Sequence, residues 1–183
     1  MKILTVTGYK PMELNIFSEN DERIKFIKYA LKQRLISFIE EGLEWVLISG
    51  QSGVEMWAAD VVIELKDTYD INLGVFPPFE NQANRWPEHL QHKYEELSFT
   101  ADHFQTLYKG DYQCPFQFKE KDKWLVEKSD ASLILMDQEY PGSTIFYHRI
   151  AEADDNHPIY YITPLDLDDV VEAMRMMELD GEY

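Results

Sequence analysis

The sequence predicts an α/β fold: a three-layer α/β/α sandwich of Rossmann-like type with a mostly parallel sheet. Three observations lead there. Apolar runs of strand length alternate along the chain with segments that carry a helical stripe. Those runs lack in-out alternation, as strands covered on both faces do, which implies parallel pairing. Twice, in "WVLISGQSGVEMWAADVV" and in "ASLILMDQEYPGSTIF", a buried run passes through a glycine turn directly into a helix.

In chain order, "KILTV" is a first strand, followed by a loop punctuated by Gly8 and Pro11. From Asp21 to Glu41 the apolar residues Ile24, Ile27, Leu31, Leu35 and Phe38 form one stripe, with Ser18 and Asn20 as cap candidates and Gly42 as the stop. "EWVLIS" is the second strand, Val54 to Asp67 the second helix, and "INLGVF" a third strand ended by Pro77 and Pro78. A helix begins near Pro87, "DHFQTLYKGDYQCPF" reads as loop or short strand, and Phe116 to Lys128 reads as a helix. Ala131 to Asp137 is a buried strand, and a helix through Ile145, Phe146 and Ile150 follows its glycine turn. "PIYYIT" closes the sheet, and Leu167 to Met177 is a last helix running into an acidic, frayed end from about residue 178. Right-handed crossovers join these elements into one sheet covered on both faces.

At 183 residues and 45% hydrophobic content, the chain fits one domain spanning 1–183. Its 17 basic against 34 acidic side chains give a net charge of −17, which repels a phosphate backbone and disfavours nucleic acid as a partner. Cys114 has no intramolecular disulfide partner, and no leader opens the chain, so a cytoplasmic protein is expected. No apolar run approaches the about 18 residues that span a bilayer.

Ligands of such sheets sit outside the carboxyl ends of the strands, where strand order reverses. Three loops qualify: "TGYKP" with Thr7 and Gly8, "SGQSGVE" with Gly50, Gln51, Ser52, Gly53 and Glu55, and "YPGST" with Gly142, Ser143 and Thr144. In "SGQSGVE" the glycines admit close approach and the amides of Val54 to Met56 offer an anion seat; the plainer reading is a tight turn capped by Ser52. Glu55 complements the helix dipole or holds ribose hydroxyls, since a carboxylate repels phosphate at those amides. "YPGST" offers amides and hydroxyls at another helix start, so two glycine turns could face one cleft. The G-x-G-x-x-G fingerprint is absent and the third strand ends in "VFPPF", which disfavours a conventional NAD enzyme.

In "FPPFENQANRWPEH", Arg85 suits a phosphate and Trp86 could stack on a base, or Phe79 and Trp86 could anchor the loop in a satellite core. His89 and His92 lack a third ligand at metal-binding spacing, so no metal is assigned. Cys114 reads as a buried inert thiol, Phe116, Phe118 and Trp124 as core, and the acids after Asp166 as a solvated face.

The ordered set "TVTGYKP", "LISGQSGVEMWAADV", "PFENQANRW", "KWLVEKSDASLILMD" and "YPGSTIFYHRIAEA" resembles the YpsA family of the SLOG superfamily over nearly the whole chain. That resemblance implies a Rossmann-like fold and a pocket for a nucleotide or a derivative such as ADP-ribose, with no further cofactor assigned. It also implies an association with bacterial cell-division control through a protein partner. "SGQSGVE" is similar to the superfamily's first glycine loop, and "YPGST" to a shortened second motif. In the related LOG hydrolases that second motif is followed by a catalytic glutamate, whereas here no acid follows Thr144 until Glu152. The expectation is therefore a non-catalytic sensor. The alternatives are a nucleotide N-glycosidic hydrolase using Glu55, an interaction scaffold, or a DprA-like single-stranded DNA binder.

Overall fold

The computed structural model describes residues 1–181. Six strands, β1 (Ile3–Gly8), β2 (Trp45–Ile48), β3 (Asn72–Val75), β4 (His103–Phe104), β5 (Ala131–Leu135) and β6 (Ile159–Ile162), form one sheet in the order β4-β3-β2-β1-β5-β6. Every pairing is parallel. The chain winds from β1 outward to β4, then returns to place β5 on the other side of β1. The strand order therefore reverses between β1 and β5, the position where doubly wound sheets open a crevice.

Six helices cover the sheet: α1 (Glu22–Glu40), α2 (Val54–Leu65), α3 (Glu88–Thr100), α4 (Phe116–Lys128), α5 (Ile145–Glu152) and α6 (Pro164–Gly181). α1 packs on α2 and α6, whereas α4 packs on α5, and both groups reach β1. The sheet between them carries fully buried Leu4, Ile48, Leu73, Leu133 and Ile134. All five residues of β5 are buried, the physical reason why its run lacks in-out alternation, and its one polar residue, Ser132, is hydrogen-bonded.

Several boundaries differ from expectation for identifiable reasons. α1 is capped by Asp21, whose carboxylate accepts the Arg23 N–H at 3.0 Å, while Ser18 accepts from the Asn20 N–H in the turn before it. Gly42 does stop α1: at φ 107° it donates to the Ile39 carbonyl while Leu43 donates to that of Phe38, a Schellman closure. α6 starts earlier than Leu167 because Thr163 and Asp166 cap it reciprocally around Pro164. It continues through Gly181, past Met177, and of the acidic end Glu182 lies outside the described residues. Phe116 and Phe118 are exposed, although Trp124 packs on Phe76 with ring centroids 4.4 Å apart. Cys114 is exposed too, on the loop entering α4. Among the described residues, no helix is long and apolar enough to cross a membrane.

Behind β5 lies a buried polar cluster. The Ser132 hydroxyl meets Tyr147 Oη at 2.6 Å and His157 Nε2 at 2.7 Å. Burial pushes the His157 pKa below its ordinary value of 6.5, although Asp154 and Asp130 pull it the other way. With the folded pKa depressed, the stabilisation is complete above the unfolded pKa and is lost as pH falls through the folded one. Urea unfolding of wild type and His157→Gln between about pH 7.5 and 5.5 is expected to show the wild-type advantage shrinking with acidity. A pH-independent difference would refute it.

Candidate functional site

The glycine turns are first of all packing devices. At Gly8 a Cβ would lie 2.8 Å from the Leu135 carbonyl oxygen and 2.8 Å from Val54 Cγ1, so this glycine lets β1, β5 and α2 converge. At Gly53, with φ 95°, a Cβ would fall 2.3 Å from the Tyr9 carbonyl oxygen. The same carbonyl accepts the Val54 N–H at 3.1 Å. The first amide of α2 is thus already occupied by the loop after β1, and the anion seat expected there is reduced. Ser52 provides no side-chain cap, because Gly53 itself occupies the cap position. Gly50, at φ 82°, makes room for Val75 and Tyr94, whose side chains a Cβ would approach at 3.1 and 3.2 Å.

Glu55 is buried and ties two strand ends together. One carboxylate oxygen accepts the Ser49 N–H and the Ser49 hydroxyl, both at 2.7 Å, and the other accepts the Thr7 hydroxyl at 3.0 Å. These contacts fill three of the about four acceptor sites on a carboxylate. Across the switch point, Tyr9 Oη donates to the Tyr140 carbonyl and accepts the Asp137 N–H at 2.7 Å, which pins the loop after β1 to the loop after β5.

A cavity of about 650 Å³ opens at this junction. Thr7, Gly8, Gln51 and Glu55 line it on one side and Ser143 and Thr144 on another, so the two glycine-turn regions do face one cleft. Lys10, Lys119, Lys121 and Arg149 also face it, a concentration of positive charge on a chain of net charge −17. Lys121 pairs with buried Asp122 at 2.7 Å; Lys119 and Arg149 make no ion pair among the described residues. Thr144 is 4% exposed, and its hydroxyl has no hydrogen-bond partner among the described residues. A buried hydroxyl beside cations at a helix start has the chemistry to receive an anion.

Arg85 and Trp86 are elsewhere. With Ser52 and Gly53 they line a second cavity of about 400 Å³, walled mainly by apolar side chains such as Ile16, Trp57 and Leu90. Trp86 meets Tyr94 edge-to-face at 5.5 Å, and Phe79 is buried against Tyr112 and Phe118. Lys10 and Gln51 line both cavities; Gly50 and Gly142 line neither. His89 faces the apolar cavity, and His92 lies 3.5 Å from Glu88.

Lys119, Lys121, Asp122 and Arg149 escaped the sequence reading because α4 and α5 meet the glycine loops only through the return crossover to β5. Glu13 escaped it as well. It sits on a 3-10 turn, Pro11–Leu14, and accepts from the Ser143 N–H at 2.7 Å, the Ser143 hydroxyl at 2.8 Å and the Lys10 N–H at 3.0 Å. Burial acts to raise the Glu13 pKa, but these hydrogen bonds and the Lys10 charge hold it below the usual carboxylate range.

The sheet order, the switch-point cleft and the two glycine turns define a doubly wound, Rossmann-like protein with a cationic crevice. The chain matches the YpsA family model, described as the YspA SLOG family, over residues 4–170. It belongs to that family. It is 63% identical over 179 residues to a UPF0398 protein of Oceanobacillus iheyensis, covering 97% of each chain. It is 44% identical over 176 residues to the UPF0398 protein YpsA of Bacillus subtilis, covering 94% of this chain and 98% of that one. Among solved structures it is similar to DNA processing protein A of Streptococcus pneumoniae, with TM-score 0.60, 13% identity, and coverage of 96% of this chain and 56% of that chain. A second likeness is to DNA processing protein A of Helicobacter pylori, described for its single-stranded DNA binding mode, with TM-score 0.55 and 12% identity. That match covers 87% of this chain and 64% of that one. At these identities the likeness is one of fold.

Proposed function

We propose that this protein binds an anionic, nucleotide-derived ligand such as ADP-ribose in the cleft between β1 and β5, without converting it, and relays occupancy to a protein partner. One observation carries the reading: Thr144, whose buried hydroxyl has no partner among the described residues, stands at the start of α5 and lines a cavity together with Lys10, Lys119 and Arg149. An acidic chain gains nothing in fold stability from gathering like charges there, whereas a phosphate group would be attracted by all of them. Ser143 and Thr144 would contact phosphate. Glu55, with one acceptor site left, would take a ribose hydroxyl. The family resemblance extends the reading to a cytoplasmic sensor acting in bacterial cell-division control. The second cavity, with Arg85 and Trp86, is separate from the phosphate seat and would serve an aromatic portion of the ligand.

The experiment is calorimetric titration of ADP-ribose into wild type, Thr144→Val and Lys119→Glu. Removing one hydroxyl is expected to weaken binding about fivefold, and reversing the charge by tenfold or more. Thr144→Val should leave the melting temperature unchanged or raised, since it removes a buried hydroxyl without a partner. Equal affinities in all three proteins would defeat the proposal.

A second reading has one specific observation in its favour. Asp122, buried and facing the same cavity as Glu55, supplies a second carboxylate, and paired carboxylates serve glycosidic cleavage. Release of free base from a nucleotide, lost in Asp122→Asn, would make the protein an N-glycoside hydrolase.

A further inference from the structure

The seat at the start of α5 already holds an anion, and that anion is part of the protein. Both oxygens of Glu13 are engaged by the Ser143 N–H, the Ser143 hydroxyl and the Lys10 N–H, a donor set that would suit a phosphate equally well. Gly142 leaves the room for it: at φ 56°, a Cβ there would fall 2.0 Å from Glu13 Oε2. We propose that Glu13 is an internal stand-in for a ligand phosphate, and that ligand entry displaces it and frees the Pro11–Leu14 turn. This rests on the ligand reading above and adds a mechanism by which occupancy is signalled.

Three features support the exchange. A carboxylate has two oxygens, both used, and the Thr144 hydroxyl next to Ser143 remains without a partner among the described residues. The diphosphate of ADP-ribose has about four non-bridging oxygens, more than a carboxylate, with which to satisfy it as well, and the cations of the same cavity favour its two charges over the single charge of Glu13. Glu13 is only half-buried on a surface turn, so its release returns a carboxylate to water rather than stranding it.

The turn is anchored at both ends, which confines the movement. Before it, Tyr9 is held by Tyr140 and Asp137. After it, the Arg23 guanidinium, itself paired with Asp21, donates to the carbonyls of Leu14 at 2.7 Å and Asn15 at 2.9 Å. Between these anchors lie Lys10, Pro11 and Met12, which line the apolar cavity together with Trp57 and Trp86. Met12 is 69% exposed. Phosphate arrival in the charged cavity therefore reshapes the wall of the apolar one.

The test titrates ADP-ribose and pyrophosphate into wild type, Glu13→Gln, Glu13→Ala and Thr144→Val, with tryptophan fluorescence recorded alongside. Both Glu13 variants are expected to bind about tenfold more tightly than wild type, since the competitor is gone. Wild-type fluorescence should shift on binding, with unliganded Glu13→Ala already near the shifted value. Glu13→Gln keeps the side chain's shape and covers the case in which Glu13→Ala folds poorly. If Thr144→Val binds more weakly than wild type but both Glu13 variants bind as wild type does or less tightly, the site stands and the exchange is refuted. If neither probe binds any of the proteins at millimolar concentration, the ligand reading fails and the exchange with it.

Discussion

Gly53→Ala is expected to destabilise the protein by about 3–5 kcal/mol, the sum of backbone strain at positive φ and overpacking against an immovable neighbour. The neighbour is main chain: the new Cβ would lie 2.3 Å from the Tyr9 carbonyl oxygen and 2.9 Å from Lys10 Cα. Backing away would break the hydrogen bond that the same carbonyl receives from the Val54 N–H. The melting temperature should fall by roughly 6–15 °C. Gly110 is the internal control, because it also has positive φ, at 79°, yet nothing lies within 4 Å of its missing Cβ. Gly110→Ala should cost about 1 kcal/mol. Should the two variants melt together, the close approach of the loop after β1 to the mouth of α2 is not what demands a glycine at Gly53. Should they separate as expected, loss of ligand binding in any Gly53 variant must be read as damage to the fold before it is read as loss of a contact.

Glu55→Ala ranks second, at about 3 kcal/mol. The carboxylate is 5% exposed and is the acceptor for the Ser49 N–H, the Ser49 hydroxyl and the Thr7 hydroxyl. Removing it leaves a buried backbone donor unpaired, at a cost of about 1–3 kcal/mol, with smaller losses at the hydroxyls, which can rotate. Glu55→Gln preserves an acceptor for the Ser49 N–H, and Thr7 can turn to accept from the new amide, so about 1 kcal/mol is expected. Urea unfolding of the two variants separates the cases. A Glu55→Ala protein as stable as wild type would show that the tie between the β1 and β2 ends carries no stability, leaving ligand binding as the reason for the residue.

The elements were legible where periodicity and stop signals agreed. Phe116–Lys128 as a helix and Ala131–Leu135 within a buried strand needed only local pattern. Caps were less legible, since Ser18, Asn20 and Asp21 are all competent capping residues, and only the path of the chain selects the last. The common cleft of "SGQSGVE" and "YPGST" followed from the switch-point rule. Separation of Arg85 and Trp86 into a different cavity did not, because it depends on how the Pro11–Leu14 turn and α3 close over α2. The cations of α4 and α5 were hidden for a similar reason: Lys119 and Arg149 are thirty residues apart and meet only in three dimensions. Glu13 carries no local signal in the sequence. Its role depends on a hydrogen bond to Ser143 across 130 residues of chain.

The position of β1 also sets the order in which the molecule can be made. The strand that begins the chain is central in the sheet, and its second neighbour, β5, joins it through Leu4 opposite Ala131. During synthesis, β1 to β4 can assemble first, because each pairs with the strand before it. Until β5 emerges, that partial sheet has an open, apolar β1 edge of the kind that recruits strands from other chains. Pairing with β5 closes it, and Asp130 holds the near end of that ladder, its carboxylate accepting the Lys2 and Ile3 N–H groups at 2.7 and 2.9 Å just before β5 begins. Truncation before Asp130 is thus expected to promote aggregation, and docking of β5 on β1 is the long-range pairing whose loop-closure cost is expected to slow folding.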